Sequence, residues 1–485
     1  MTVEEMCRDL DYKNVLQYFC DISRVPRGSG HNEKISNYLA DFAKAHGLRY
    51  VQDETLNIIM YKPATPGYEN HTPVIIQGHM DMVCVTAPGV EHDFENEPLE
   101  LFVEDGYLGA KGTTLGGDDG IAVAIGMALL TDDTIEHPAL ELLITTDEET
   151  GMDGAKNLDA SLLKGRYMLN LDSEEEGSVL VSCAGGLGAR TVLPIKRESA
   201  SGKKVRVTVS GLKGGHSGAE IHRWRTNALL LLARYLFEVR ETAEYAMISM
   251  EGGEKTNAIP CLAAADLVVD ASEFEEFKEA TAALLAKYQN ELSAAEPDVM
   301  ITLTEGDEGR YEIMHPNSFE RMLFLLLQAP NGVQAMSAAI EGLVETSLNL
   351  GIFKAAGDSA LFCYSIRSSV GTAKYFVRDR LAYLAEFMGA EFIPGGEYPA
   401  WEYKQNSPLR DLFVRVFTED YGHAPKVEAI HAGLECGLIC EKIPDIDIVS
   451  LGPDMRDIHT PKERLGIEST IRVYQFLEHL LAEMK

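Results

Sequence analysis

The chain has 485 residues, which is more than one ordinary hydrophobic core can organise and predicts two or three domains. Its formal net charge of −33 predicts repulsion from nucleic acid and from anionic membranes, so neither is expected as a partner. Apolar residues make up 45% of the chain and charged residues 25%, which is typical of globular proteins and excludes wholesale disorder.

The first part of the chain alternates short apolar runs with helical stretches. The predicted elements are a strand at 74–76, a helix at 121–130, and strands at 140–144 and 167–171. The end of the chain returns to this pattern, with a strand at 446–451 and a helix at 467–481. Strands that alternate with helices predict an α/β fold with a doubly covered, mixed and mostly parallel sheet.

The middle of the chain has a different pattern. Predicted here are strands at 205–209, 245–250, 263–269, 300–303, 344–350 and 361–366, and helices at 226–239, 274–292, 318–328 and 375–388. We predict that residues 186–398 form an inserted α+β lid domain, and the repeated series of elements allows two similar halves. Residues 1–185 and 399–485 would then form the other domain.

The eight cysteines are scattered and include no C-x-x-C pair. We interpret them as reduced core thiols of a cytosolic protein, because disulfide frameworks use tighter spacing. The start of the chain lacks the basic and apolar pattern of a secretion signal, and no apolar run is long enough to cross a bilayer. The sequence therefore predicts a cytoplasmic protein that is not membrane-spanning.

Several apolar runs end in carboxylates or histidine. These segments are 77–81, 145–151, 170–172 and 457–460, and the acidic pair 118–119 follows a glycine-rich loop before a helix. In an open α/β sheet, ligands bind beyond the carboxyl ends of the strands, so these side chains are expected to meet. Two imidazoles and several carboxylates suit zinc, with manganese or cobalt as alternatives.

Each segment alone also has a simpler structural explanation. Asp118 or Asp119 could cap the following helix. We interpret the three glutamates at 174–176 as a solvated turn. Residues 460–463 match a capping box with proline at the first helical position, which leaves His459 unexplained. The joint occurrence of these residues at successive strand ends favours a metal site.

Two pairs of neighbouring residues could divide the work at such a site. His79 and Asp81 point to one side of a strand, so Asp81 could fix the ring of a ligating His79, or bind another nearby donor. Of Glu148 and Glu149, one carboxylate can bind a metal ion while its neighbour takes a proton from an activated water.

At these segments the sequence resembles the clan of co-catalytic zinc aminopeptidases and carboxypeptidases. The likeness is greatest to its aminoacyl-histidine dipeptidases, also called Xaa-His dipeptidases or peptidase D. It extends over essentially the whole chain and includes the segments 213–218, 256–260, 365–368 and 431–437. The resemblance implies a catalytic zinc-binding domain beside the lid domain, two zinc ions per chain, and a dipeptide substrate.

The resemblance also implies a set of metal ligands. Asp118 would bridge the two ions, with His79 and Asp172 on one ion and Glu149 and His459 on the other. The family often has asparagine after the bridging aspartate, whereas this chain has Asp119, so either carboxylate could bridge.

Catalytic and substrate-contacting residues follow from the same resemblance. Glu148 matches the general base, and Asp81 matches the aspartate that steadies His79. His216 matches a lid-domain histidine that contacts the tetrahedral intermediate. The substrate-contacting positions match Asn257, Arg367 and Gly433. Arg367 would hold the C-terminal carboxylate of the substrate with paired donors.

Three functions are compatible with these residues. The first is a dipeptidase of broad specificity that includes Xaa-His substrates. The second is an amidohydrolase of the same clan that removes an acyl group from an amino acid. The third is a metal-stabilised binding protein without catalysis, although the presence of Glu148 argues against it. A homodimer, in which His216 crosses to the partner, and a monomer both remain open.

Overall fold

The computed structural model describes residues 1–485. Helices α1 to α13 span, in order, Val3–Asp9, Val15–Ile22, Glu33–Ala45, Gly117–Thr131, Glu148–Gly151, Asp153–Asn157, Ala228–Val239, Phe274–Glu291, Pro316–Gln328, Gly371–Phe387, Pro408–Tyr421, Glu435–Lys442 and Ile467–Ala482. Strands β1 to β12 span Arg49–Gln52, Ile58–Lys62, Val74–His79, Leu101–Glu104, Tyr107–Ala110, Leu140–Thr145, Tyr167–Asn170, Ser178–Cys183, Gly185–Pro194, Arg197–Ser210, Gly215–His216 and Tyr245–Gly252. Strands β13 to β23 span Ala258–Ile259, Ala263–Val269, Met300–Met314, Gly332–Met336, Val344–Ala356, Ser359–Ser368, Glu391–Tyr398, Lys426–Ile430, Asp447–Ser450, Met455–Arg456 and Arg464–Gly466.

The chain folds into two compact units. The first comprises Met1–Ser182, Tyr403–Ala429 and Leu434–Lys485, and the second comprises Cys183–Glu402 and Ile430–Gly433. That residues 186–398 form a separate domain acting as a lid stays a prediction. None of the helices is both long enough and apolar enough to pass through a bilayer.

The first unit contains an eight-stranded sheet in the order β1-β2-β6-β3-β7-β21-β8-β20. Strands β6, β3, β7 and β21 run parallel to one another, whereas β1, β2 and β8 pair in antiparallel fashion. Every residue of β3, β6 and β21 is buried, as expected where both faces of a parallel sheet are covered. The predicted α/β fold with a mixed sheet is confirmed.

Helix α4 lies close against this sheet. A Cβ atom on Gly126 would lie 2.4 Å from Cδ1 of Leu142 in β6, so only glycine permits this approach. Nearly all of α4 is buried, from Gly117 to Leu130. The helix therefore fixes the acidic pair at its N-terminal end relative to the carboxyl edge of the sheet.

A small four-stranded sheet, in the order β22-β23-β5-β4, was not predicted from the sequence. It joins the segment Met455–Gly466 near the C-terminus to residues 101–110. Residues 460–463 form a turn here, and α13 begins only at Ile467. The capping-box interpretation of 460–463 is therefore wrong.

The second unit contains a nine-stranded sheet in the order β15-β10-β14-β12-β17-β18-β9-β19, with β16 paired to β17. Its ladders are antiparallel. The apolar faces of α7 to α10 contribute to one continuous core with these strands. Both of the predicted halves supply strands to this single sheet.

None of the eight cysteines forms a disulfide, and most are at least half-buried. Cys84 and Cys261 are exposed, so the prediction that all the cysteines are core thiols is wrong for these two residues.

Candidate functional site

The five predicted metal ligands come together in the first unit, at the carboxyl edge of the parallel strands. His79 is the last residue of β3, Glu149 follows β6, and Asp172 follows β7. Asp118 lies at the N-terminal end of α4. His459 comes from the turn between β22 and β23.

These side chains form two groups that share Asp118. His79, Asp118 and Asp172 form one group, and Asp118, Glu149 and His459 form the other, with the ligand atoms of each group within 4.8 Å of one another. Oδ1 of Asp118 lies 3.2 Å from Nε2 of His79, and Oδ2 lies 3.0 Å from Nε2 of His459. The two oxygens of one carboxylate thus face different groups, which is the arrangement that a bridging ligand requires.

Asp119 has a different environment, although it too is fully buried. Its Oδ2 accepts a hydrogen bond from the backbone N–H of His79 at 3.1 Å. It belongs to neither of the two groups that share Asp118. The geometry therefore favours Asp118 over Asp119 as the bridge.

The donor set fits divalent cations. It offers imidazole nitrogens and carboxylate oxygens, the ligands that zinc takes in catalytic sites. The side chain of His79 is 1% exposed and that of Asp118 is 10% exposed. Buried carboxylates at such short separations repel one another unless cations or protons neutralise them.

Protons take this role when no metal is bound. Burial disfavours a charged His79, but hydrogen bonds to Asp118 and Asp81 outweigh it and raise its pKa well above the usual range. Hydrogen bonds to Asp118 and Glu149 raise the pKa of His459 to about 10. Burial also raises the pKa of Asp172 well above its usual range.

Asp81 connects His79 to the segment that carries Glu148. Its Oδ1 lies 3.4 Å from Nδ1 of His79 and accepts the backbone N–H of Glu148 at 3.1 Å. Its Oδ2 accepts a hydrogen bond from the hydroxyl of Ser29 at 2.8 Å. Both carboxylate oxygens are thus used to orient neighbours, as in the acidic partners of ligating histidines.

Glu148 belongs to neither of the two groups that share Asp118, but its carboxylate forms a third group with His79 and Glu149. Burial raises its pKa to about 7, and the negative charges of Glu149 and Asp118 add to this effect. A carboxylate with a pKa near neutrality can both accept and return a proton. A general base needs such a pKa, and the role of Glu148 as the base stays a prediction.

The turn before Glu148 has a left-handed backbone at Asp147, with φ of 54°. The Asp147 carboxylate accepts hydrogen bonds from the N–H of Gly30 at 2.6 Å and from Nδ2 of Asn32 at 2.7 Å. Aspartate tolerates this conformation better than most residues. Contacts from a distant loop therefore hold the turn that presents Glu148 and Glu149.

Two buried groups near the metal ligands were not singled out from the sequence. Glu435 is fully buried, and its Oε2 accepts hydrogen bonds from Gln77 at 2.7 Å and from Thr145 at 2.5 Å. Burial raises its pKa to about 8, with a further contribution from Glu148. The only local sign of Glu435 in the sequence is that an acidic residue begins an otherwise apolar helix turn.

The other group is the guanidinium of Arg27, which donates to the carbonyl oxygens of Met80 and Gly116.

The glutamate run at 174–176 is not a uniformly solvated turn. The side chain of Glu176 is 9% exposed and pairs with Arg472. Tyr421 also donates a hydrogen bond to Glu176, at 2.8 Å. The solvated-turn interpretation is therefore wrong for Glu176.

The four residues predicted to contact the substrate or the intermediate all lie in the second unit. Arg367 in β18 and Asn257 line a cavity of about 590 Å³. Nη1 of Arg367 donates to the hydroxyl of Tyr398 at 3.2 Å, whereas its Nε is buried without a partner. Gly433 leaves room for Tyr398, since a Cβ there would lie 2.6 Å from the tyrosine ring.

Arg367 makes no ion pair, although it is only 9% exposed. A buried guanidinium without an acidic partner is unfavourable in the free protein and favours binding of an anion. A substrate carboxylate would supply the missing charge with the geometry that guanidinium prefers.

His216 in β11 is oriented by its own turn. Its Nδ1 accepts hydrogen bonds from the N–H groups of Gly218 at 3.3 Å and Ala219 at 3.1 Å. Burial lowers its pKa, and the positive charge of Arg367 adds to this effect. The ring is therefore neutral near pH 7 with its proton on Nε2, which leaves Nε2 as a donor.

The sequence profile of Peptidase family M20/M25/M40 matches residues 75–483. The chain is 36% identical over 468 residues to the cytosol non-specific dipeptidase of Escherichia coli (strain K12), which covers 96% of each chain.

Solved structures with the same fold include that of the aminoacylhistidine dipeptidase from Vibrio alginolyticus. It aligns with a TM-score of 0.91 and 35% identity, over 99% of this chain and 98% of the other. The aminopeptidase PepT from Bacillus cereus aligns with a TM-score of 0.58 and 17% identity, over 98% of this chain and 99% of its own, and shows the fold alone.

The protonated histidines lead to a prediction about metal binding. A metal ion binds only neutral imidazole, so at pH 7, below the His459 pKa of about 10, binding must expel its proton. We expect the apparent affinity of metal-free protein for Zn²⁺ to rise between pH 6 and 8, by up to about tenfold per pH unit for each proton released. Calorimetry in two buffers of different ionisation enthalpy measures the released protons, and identical enthalpies in both buffers would contradict the expectation. His459→Asn, which removes one of the protons, should weaken the dependence on pH.

Proposed function

The chain belongs to Peptidase family M20/M25/M40 and is a peptide hydrolase with a metal cofactor; from this premise we propose that it is a two-zinc dipeptidase of broad specificity that includes Xaa-His dipeptides. The observation that carries the proposal is the sharing of Asp118 by two ligand groups, with Glu148 close by. Manganese or cobalt would fit the same donors, because their ligand preferences overlap with those of zinc.

The first unit would supply the hydrolytic chemistry. His79, Asp118 and Asp172 would hold one ion, and Asp118, Glu149 and His459 the other. When bound, the ions lower the pKa of a water molecule and polarise the scissile carbonyl. Glu148 takes the proton of the attacking water and passes it to the leaving amine. Asp81 keeps the ring of His79 and the backbone of Glu148 in place.

The second unit would supply recognition of the substrate. Arg367 would bind the C-terminal carboxylate, because its guanidinium is buried and has no acidic partner. Asn257 shares the same cavity, and Gly433 leaves room for the ring that contacts Arg367. His216 presents a neutral Nε2–H donor, the group that would stabilise a developing oxyanion.

The names of the relatives support the substrate class. One is described as a non-specific dipeptidase and the other as an aminoacylhistidine dipeptidase. We therefore place Xaa-His dipeptides within a broader range of dipeptide substrates. The cytosolic name of the Escherichia coli relative supports a cytoplasmic location. A homodimer is compatible with the proposal, which does not depend on it.

A substrate panel tests the proposed function. We expect the purified protein to hydrolyse Ala-His and Gly-His, to lose this activity with a chelator, and to recover it with Zn²⁺. N-acetyl amino acids should be poor substrates. Cleavage of the acylated compounds alone would instead identify an amidohydrolase of the same family, and no turnover with any metal would favour a binding protein.

Replacing Glu148 separates the general base from the metal ligands. Glu148→Ala should keep its bound metal, because it leaves intact both groups that share Asp118, although Glu148 also lies with His79 and Glu149 in a third group. Its kcat for Ala-His should fall by about 10²–10⁴-fold, the usual contribution of a general base. Elemental analysis and steady-state kinetics on the same sample measure the two effects, and unchanged turnover would rule out the proposed role.

Replacing Arg367 tests recognition of the carboxylate. Arg367→Met should lower kcat/KM for Ala-His by about 10- to 100-fold, the value of a hydrogen bond between charged groups. The same variant should make little difference with the C-terminal amide of Ala-His, which has no carboxylate to bind. Arg206→Met is the matched control, because Arg206 also lies in the second unit but pairs with Asp266 and Glu251. An equal effect on acid and amide would contradict the assignment.

A further inference from the structure

Glu463 lies in the first unit, and its carboxylate faces the backbone of the loop that leads into α4. Oε2 accepts hydrogen bonds from the N–H groups of Leu115 at 2.8 Å and Gly116 at 3.0 Å. Oε1 accepts from Gly117 at 2.7 Å and Asp118 at 3.3 Å. One carboxylate, 2% exposed, thus binds four consecutive N–H groups.

These hydrogen bonds hold a stretch of backbone that is not regular helix, because Asp118 and Asp119 at the start of α4 have non-helical φ and ψ values. Gly116, the residue before α4, has no side chain that could accept these N–H groups in place of Glu463. Gly116 also has a φ of 65°, a conformation that favours glycine. At Gly117 a Cβ would lie 3.3 Å from Oε1 of Glu463, so a side chain there would crowd the carboxylate.

Arg27 holds the same loop through its carbonyl groups. Its guanidinium is fully buried and donates to the carbonyl oxygen of Gly116, and to that of Met80 at 3.2 Å. A Cβ at Gly120 would lie 2.5 Å from Nη2 of Arg27. The loop is therefore fixed by an acceptor on its N–H side and by a donor on its carbonyl side.

The loop ends at Asp118, whose two oxygens face His79 and His459. Glu463 follows His459 by four residues, so one short segment contacts both the side chain of Asp118 and its backbone. A small rotation of the loop would move one carboxylate oxygen away from its group. We infer that Glu463 is a positioning residue, which holds the Asp118 carboxylate between His79 and His459, where it would bind both metal ions, by fixing the backbone of residues 115–118. This inference depends on the metal role proposed for Asp118.

Glu463→Gln tests the inference, because glutamine keeps the volume but turns an NH₂ group toward backbone N–H donors. In the metal-free variant we expect faster amide hydrogen exchange in peptides that contain residues 115–118, with other peptides of the sheet unchanged. We expect affinity for Zn²⁺, measured by competition with a chromophoric chelator, to fall by about 10- to 100-fold, the usual loss when a partner of a ligand is replaced. Glu463→Asp keeps the charge and should recover part of both effects; it also carries the test if the glutamine variant does not fold.

Glu141→Gln is the matched control. Glu141 is also a buried carboxylate of the first unit that accepts backbone N–H groups, from Lys164 and Gly165, but it lies near the amino end of β6. It should lower the melting temperature without changing the affinity for Zn²⁺. If Glu463→Gln behaves as this control does, Glu463 has only a structural role and the inference is wrong.

Asp118→Asn distinguishes failure of the inference from failure of the proposed function. If this variant loses Zn²⁺ while Glu463→Gln binds it normally, only the inference fails. If Asp118→Asn binds two Zn²⁺ ions as tightly as the original protein, the proposed metal centre itself is wrong.

Discussion

The main constraint on the first unit is that the negative charge of the carboxylates around Asp118 must be neutralised. Burial and mutual repulsion oppose negative charge on these groups, and the pKa values of Asp119 and Asp172 are raised well above the usual range as a result. The two neighbouring histidines compensate by holding protons. Protons and divalent cations therefore compete for the same carboxylate and imidazole side chains. Binding of divalent cations at these ligands is therefore expected to release protons.

The sheet explains why the ligands are so far apart in the sequence. Strands β6, β3 and β7 are parallel neighbours, so their carboxyl ends meet at one edge. Parallel neighbours need long connections, which separate the ligands that follow them along the chain. The last ligand, His459, reaches the same edge through the small sheet that joins β22 and β23 to β5. The centre is therefore complete only when the C-terminal segment has docked.

The sequence predicted those features that have a local signature. The strands and helices of both units have clear periodicity, and the ligands follow strand ends, where open sheets bind ligands. What the sequence did not predict depends on contacts between distant segments. Residues 460–463 match a capping box, but Glu463 instead accepts N–H groups about 345 residues away, at the start of α4. The hydrogen-bond partners of Arg27 and Glu435 could not be predicted either, because they lie far away in the sequence.

The backbone conformation of the turns that carry Glu148 and His459 also depends on contacts made in the folded protein. Asp147, Asp457 and His459 have φ values of 54°, 51° and 60°, a region that costs most residues other than glycine about 1–3 kcal/mol each, although aspartate tolerates it better than most. Local preference therefore opposes the conformations that present Glu148 and His459. The loop at Gly30 and Asn32 holds Asp147, and the hydroxyl of Thr460 donates to the carbonyl oxygen of Asp457. The contacts on Asp147 come from a distant loop, so the position of Glu148 is a property of the folded unit, whereas the turn at Asp457 is held by a neighbour within its own segment.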